Sequence, residues 1–316
     1  MAETLTVWIT AGVPQKQFDE LRAALPACEF LTAPELDAEA LARVDVLYAE
    51  DPIPDEMMAR MPRLEWVQVT RGGVYEFLTP FVKASPLQIT SSTGVHGPAF
   101  SDFCIALLFA LGKKLPHFWR AQHEGRWDPV TPGVISGKTL GILGLGTTGS
   151  ELARKANCLG LRVLATKRTP SPKPDYVDHL GLPDYMPQLL AESDFVVLAM
   201  PSIPSTVGLL GERELRLMKP TAYLINLTTG KAITEELLVR ALKEGWIAGA
   251  AIDALPLRPL PMESELWKLP NLIITPRVAG QTPHKWELIV PIFQDNLQRF
   301  IDGRPLHNLA NKDLGY

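Results

Sequence analysis

The chain has 316 residues, of which 46% are hydrophobic and 21% charged, and a formal net charge of −4. That length suits two domains of ordinary size, and the mildly acidic balance excludes a protein that binds nucleic acid by neutralising phosphates. No basic segment followed by an apolar core opens the sequence, and its longest apolar run, CIALLFALG at 104–112, is about half of a membrane span, so neither a signal peptide nor a membrane partner is expected.

In chain order, short β-rich runs alternate with helical patterns. TLTVWITAG (4–12) reads as a strand and PQKQFDELRAALP (14–26) as a helix with Phe18, Leu21, Ala24 and Leu25 on one side. VDVLYAE (44–50), LEWVQVT (64–70) and LQITSST (87–93) are further strands. This alternation implies a parallel sheet covered on both faces. After the long helix GPAFSDFCIALLFALGKKLP (97–116), a second series begins. At least six strands are expected, in TLGILGLG (139–146), LRVLATKR (161–168), DFVVLAMP (194–201), AYLINLTT (222–229), IAGAAIDAL (247–255) and NLIITP (271–276), with helices between them. A last helix, from Pro283, places Ile289, Ile292, Phe293, Leu297 and Phe300 on one side and is expected to return to the first domain. The reading is an α/β protein with a discontinuous first domain, 1–98 and 287–316, and a doubly wound parallel-sheet domain, 99–286.

Three cysteines, Cys28, Cys104 and Cys158, lack metal-ligand spacing, and no metal site is expected. Cys104 and Cys158 fall within apolar helical patterns and are expected to be buried thiols, as in a reducing cytoplasm.

Gly144, Gly146 and Gly149 form G-x-G-x-x-G between a strand and a helix, the context in which this pattern binds a dinucleotide. Gly144 makes the tight turn, Gly146 admits a pyrophosphate, and Gly149 lets helix pack on strand. Thr147 and Thr148 open the helix, whose N-terminal amides and dipole favour an anion. The next strand ends in Lys167, Arg168 and Thr169. An NAD enzyme wants a carboxylate there for the ribose hydroxyls. Two cations and a hydroxyl suit a 2′-phosphate, so NADP(H) is expected over NAD(H); a solvated basic turn is the plainer alternative.

SSTGVHGPAFSDF, GKTLGILGLGTTGSELA, ESDFVVLAMPSIPSTVGLLGERELRLMKPTAYLINLTTG, EELLVRALKEGWIAGAAIDAL and PLPMESELWKLPNLIITPRVAGQTP, in this order, resemble the D-isomer-specific 2-hydroxyacid dehydrogenases nearly end to end. The resemblance implies a flavodoxin-like substrate domain built from both chain ends, a Rossmann cofactor domain, a small-molecule substrate and a homodimer formed through the Rossmann side. It places Met200, Pro201 and Thr206 beside the riboses, with Leu227 in the same cofactor set. It places Asp253 near the nicotinamide edge and Gly280 where backbone approaches the carboxamide. It matches Gly73 and Val74 to amides that bind a substrate carboxylate; Arg71 and Tyr75 depart from the family's usual residues beside them, and Arg71 is expected to bind substrate with them.

The family's chemistry uses an arginine, a glutamate and a histidine. The corresponding positions here hold Thr229, Arg258 and Arg277. A histidine titrates near neutrality, whereas an arginine does not. Three readings follow: an NADP(H)-dependent oxidoreductase with a non-standard site formed by Arg277, Arg258, Thr229 and Tyr75; a lyase- or dehalogenase-type enzyme reusing the cofactor cleft; and a sensor that binds NADP(H) without turnover. Intact cofactor motifs beside a replaced proton-transfer set favour the first, acting on an anionic or polarised small molecule.

Overall fold

The computed structural model describes residues 4–227, 230–255 and 259–316. The chain divides into two compact units, Met1–Val95 with Thr282–Tyr316, and His96–Gln281. These exchange points fall a few residues before positions 98 and 286.

The first unit contains β1 (Leu5–Ile9), α1 (Gln15–Ala24), β2 (Cys28–Leu31), α2 (Ala38–Ala42), β3 (Val46–Ala49), α3 (Asp55–Met58), β4 (Trp66–Val69), α4 (Pro80–Ala84) and β5 (Gln88–Ser91). The second contains α5 (Gly97–Gly112), α6 (Leu115–His123), β6 (Thr139–Leu143), α7 (Thr147–Cys158), β7 (Arg162–Thr166), β8 (His179–Gly181), α8 (Met186–Glu192) and β9 (Phe195–Leu198). It continues through α9 (Glu212–Leu217), β10 (Tyr223–Asn226), α10 (Glu235–Lys243), β11 (Gly249–Ile252) and β12 (Leu272–Ile274). The last helix, α11 (Lys285–Ile301), belongs to the first unit and packs on α1.

Among the described residues, the first sheet has five parallel strands in the order β2-β1-β3-β4-β5, the flavodoxin-like arrangement. The second has seven, β12-β11-β10-β9-β6-β7-β8, also parallel. Alternate residues of its strands face opposite sides. Leu143, Leu164, Leu198, Leu224 and Ile252 pack under Leu189, Leu215 and Leu238. Ile142, Val163, Val197, Ile225 and Ala251 pack under Leu108 of α5 and Leu152 of α7. Residues buried on both faces explain why these strands read as continuous apolar runs. In the first sheet Val7, Tyr48 and Trp66 meet Leu21 and Phe293, and Tyr48 stacks on Phe293 with centroids 4.1 Å apart.

Both sheets are pinned at their amino ends by the same device. Asp45 accepts from the Thr6 amide at 2.8 Å, and Asp194 from the Thr139 amide at 2.9 Å. The strands that follow these aspartates, β3 and β9, pair with β1 and β6.

Three differences from the sequence reading have physical causes. β2 and β8 were not expected as strands. Both are sheet edges whose residues are half-buried or exposed, so neither carries an apolar run. Cys158 is exposed at the end of α7, whereas Cys104 is buried and its burial pushes the thiol up to about 12. Among the described residues no helix is long and apolar enough to cross a membrane.

Candidate active site

In the second sheet the chain runs outward from β6 through β7 and β8, then crosses back to β9 and runs the other way. The carboxyl ends of β6 and β9 therefore border a topological switch point, where open α/β sheets bind ligands. The glycine loop leaves β6 at that point. Gly144 has φ +105°, and a Cβ there would lie 2.9 Å from the Met200 amide nitrogen at the end of β9. A Cβ on Gly149 would lie 2.2 Å from the Gly144 carbonyl oxygen, so α7 sits directly against the loop. A Cβ on Gly146 would meet nothing within 4 Å. That open ground at the start of α7, beside Thr147 and Thr148, is a cradle into which a pyrophosphate fits. The residues present therefore fit a dinucleotide.

The loop is tied to the basic turn. The Gly144 and Leu145 amides both donate to the Thr166 carbonyl, at 3.2 and 2.8 Å, and Lys167 follows directly. The Lys167 amide donates to Gly181 of β8 at 2.9 Å, and its ammonium reaches Ser171 Oγ at 3.1 Å. Arg168 and Thr169 are exposed next to it. Met200 is buried and Pro201 exposed after β9. The Thr206 hydroxyl lies 2.8 Å from the Pro201 carbonyl and 2.9 Å from that of Ile203, and accepts from the Ile203 amide at 3.0 Å. It shapes the loop beside the switch point. Leu227, at the end of β10, is buried against the α5 side of the sheet.

At the far edge of this sheet, β12 gives way to the turn that carries Arg277. Arg277 is exposed and has φ +58°. A left-handed backbone costs a residue with a Cβ about 1–2 kcal/mol, so neighbouring contacts must hold it. Asp253, just past β11 and only 3% exposed, supplies them. Its carboxylate accepts from Thr275 Oγ1 at 2.6 Å, from the Val278 amide at 2.9 Å and from the Ala279 amide at 3.0 Å. Gly280 is closed in by Phe100, whose ring lies 2.6 Å from where a Cβ would stand. Its carbonyl lies 3.2 Å from His96 Nδ1. The sequence reading placed Asp253 with the cofactor and gave His96 no part. The bonds that tie Asp253 to the turn span 22 to 26 residues, so no local pattern signals them.

In the first unit, Arg71, Gly72, Gly73, Val74 and Tyr75 follow β4. Arg71 pairs with Glu76 at 2.8 Å and stands over the Phe77 ring at 5.5 Å. Arg71, expected on the substrate side with Gly73 and Val74, is tied here to its own loop. A Cβ on Gly73 would meet nothing within 4 Å. The Val74 side chain is buried in the core, which leaves only its backbone for a ligand. Tyr75 is 38% exposed. Thr229 and Arg258 lie outside the described residues.

An open parallel sheet with a glycine loop at its switch point defines a dinucleotide-binding enzyme. A family model described as D-isomer specific 2-hydroxyacid dehydrogenase, NAD binding domain, matches residues 105–279. A glyoxylate reductase of Thermococcus gammatolerans is 34% identical, over 98% of this chain and 96% of its own. A D-isomer-specific 2-hydroxyacid dehydrogenase of Xanthobacter autotrophicus, solved with NADPH and MES, superposes with TM-score 0.87 at 28% identity over the whole of both chains. One from Aeromonas salmonicida superposes at 0.86 and 29% identity, over 98% of this chain and all of its own. The chain belongs to the D-isomer-specific 2-hydroxyacid dehydrogenase family and is a nicotinamide-dependent oxidoreductase.

Proposed function

We propose that this enzyme is an NADP(H)-dependent reductase of small anionic or strongly polarised carbonyl compounds, with Arg277 as its substrate-side cation. The observation that carries the reading is the exposed guanidinium on a preformed turn at the carboxyl edge of the cofactor sheet. Two acidic residues that precede it in the sequence are engaged elsewhere. Glu265 pairs with Lys243, and Asp253 with the turn itself. A bound nicotinamide would supply a hydride. Arg277 would stabilise the oxyanion that develops on the substrate, but it cannot release a proton. Proton delivery is assigned to Tyr75 or water, and carboxylate binding to the Gly73 and Val74 amides. Arg258 and Thr229 belong to the same proposal by their place in the sequence.

The cofactor set is proposed as the glycine loop with Thr147 and Thr148, then Met200, Pro201, Leu227 and Gly280. Lys167, Arg168 and Thr169 are assigned to the 2′-phosphate, a choice supported by the NADPH bound in the Xanthobacter relative. Glyoxylate is the first substrate to try, because the Thermococcus relative is named for it. We also propose a homodimer through the second unit. Trp119, Trp127 and Val134, 55%, 98% and 68% exposed on and after α6, support it.

Fluorescence titration with NADPH and NADH, followed by absorbance at 340 nm with glyoxylate, hydroxypyruvate and pyruvate, tests the reading. NADPH should bind at least about tenfold more tightly, as charge-assisted bonds to a phosphate require, and at least one acid should be reduced. Tighter NADH binding, or no reduction of any acid, would contradict it.

A further inference from the structure

We propose that Asp253 is a positioning residue for Arg277. Its buried carboxylate holds the turn of residues 275–280 in the shape that presents the guanidinium. The inference rests on Arg277 as the proposed substrate-side cation.

Asp253 is fixed from behind, since its amide donates to the Asn226 carbonyl at 3.0 Å. The carboxylate then faces the turn. Oδ1 accepts from Thr275 Oγ1 and the Val278 amide, and Oδ2 from the Ala279 amide. Successive amides that converge on one anion form a nest, and a left-handed residue beside them is what turns both inward. Arg277, with φ +58°, immediately precedes those two amides. Its conformation is therefore a condition of the Asp253 contacts, and those contacts hold its conformation. His96 and Phe100 brace the same turn from the Gly280 side.

A double-mutant cycle tests this on the full-length protein loaded with NADPH, with oxalate as the anionic probe in calorimetry. Asp253→Asn places an amide N–H2 against a backbone donor. Asp253→Asn and Arg277→Ala should each weaken oxalate about tenfold or more, and the double variant should be no weaker than the worse single one, the signature of coupled residues. The dissociation constant of NADPH should stay within about threefold in Arg277→Ala. Multiplying effects, or a loss of NADPH affinity in Asp253→Asn with oxalate unchanged, would overturn the proposal. Thr275→Val removes one bond and should cause a smaller loss in the same direction; it serves if Asp253→Asn does not fold.

If Arg277→Ala leaves oxalate binding intact, the substrate-side reading of Arg277 fails, and amide exchange decides the role of Asp253. The Val278 and Ala279 amides should exchange at least about tenfold faster in Asp253→Asn or Thr275→Val, while those of β6 keep their protection. Unchanged protection at Val278 and Ala279 would overturn the positioning role.

Discussion

The loop after β6 and the turn after β12 leave the same edge of one sheet and treat their backbone donors in opposite ways. At the first, a Cβ on Gly146 would meet open space, and α7 begins there with its amides available to an anion. At the second, the Val278 and Ala279 amides already hold the carboxylate of Asp253. The first turn leaves open ground in front of its donors. The other is an anion site filled by the protein itself, so the charge it offers outward is a side chain, Arg277. A backbone cradle suits a constant group such as a pyrophosphate.

The largest expected effect falls on the first turn. Gly149→Ala drives a Cβ into the Gly144 carbonyl, and overpacking against backbone should cost on the order of 3 kcal/mol of stability. Thermal unfolding should show a lower melting temperature, and NADPH binding should be lost. Unchanged stability and binding would mean that α7 can move away from the loop, and the contrast between the turns would weaken.

Lys167→Asp sharpens the comparison without touching the glycine loop. It should weaken NADPH by about 10–100-fold through the lost charge-assisted bond, with NADH changed far less. Equal weakening of both cofactors would remove the 2′-phosphate from the account.

A smaller effect is expected at Asp194, at the opposite end of the sheet from both turns. Burial pushes its carboxyl up, but the Thr139 amide, Lys219 and Lys138 outweigh burial and leave it below the ordinary 3.8. A depressed folded value stabilises the fold above the unfolded value and loses that contribution as pH falls through the folded one. Asp194→Asn should therefore cost about 1 kcal/mol near neutrality, and its melting temperature should converge on that of the wild type below pH 3.8. Cofactor affinity should not change. A constant difference across pH would contradict the depressed carboxyl.

The comparison also shows what the sequence could carry. The glycine loop was legible because three glycines at fixed spacing each answer a steric demand, and two of those demands appear as clashes at Gly144 and Gly149. The central strands were legible because both faces are buried. The edge strands β2 and β8 were not, since half-exposed residues leave no pattern. Arg277 was visible as a residue out of place at the end of a strand, but its left-handed backbone was not, because the turn's contacts to Asp253 bridge a long span of chain. The Arg71–Glu76 pair lies five residues apart in one loop. It was hidden because loop geometry, not helical spacing, brings the two together.

The cofactor turn and the Arg277 turn are expected to perform separate tasks. The most direct measurement is steady-state reduction of glyoxylate by NADPH, followed at 340 nm, in the wild type and Arg277→Ala. The account predicts turnover by the wild type. In the variant, kcat/KM for glyoxylate should fall about 10–100-fold, as expected for a lost charged contact, with KM for NADPH unchanged. Equal kcat/KM values in the two proteins, or a loss confined to NADPH, would contradict it.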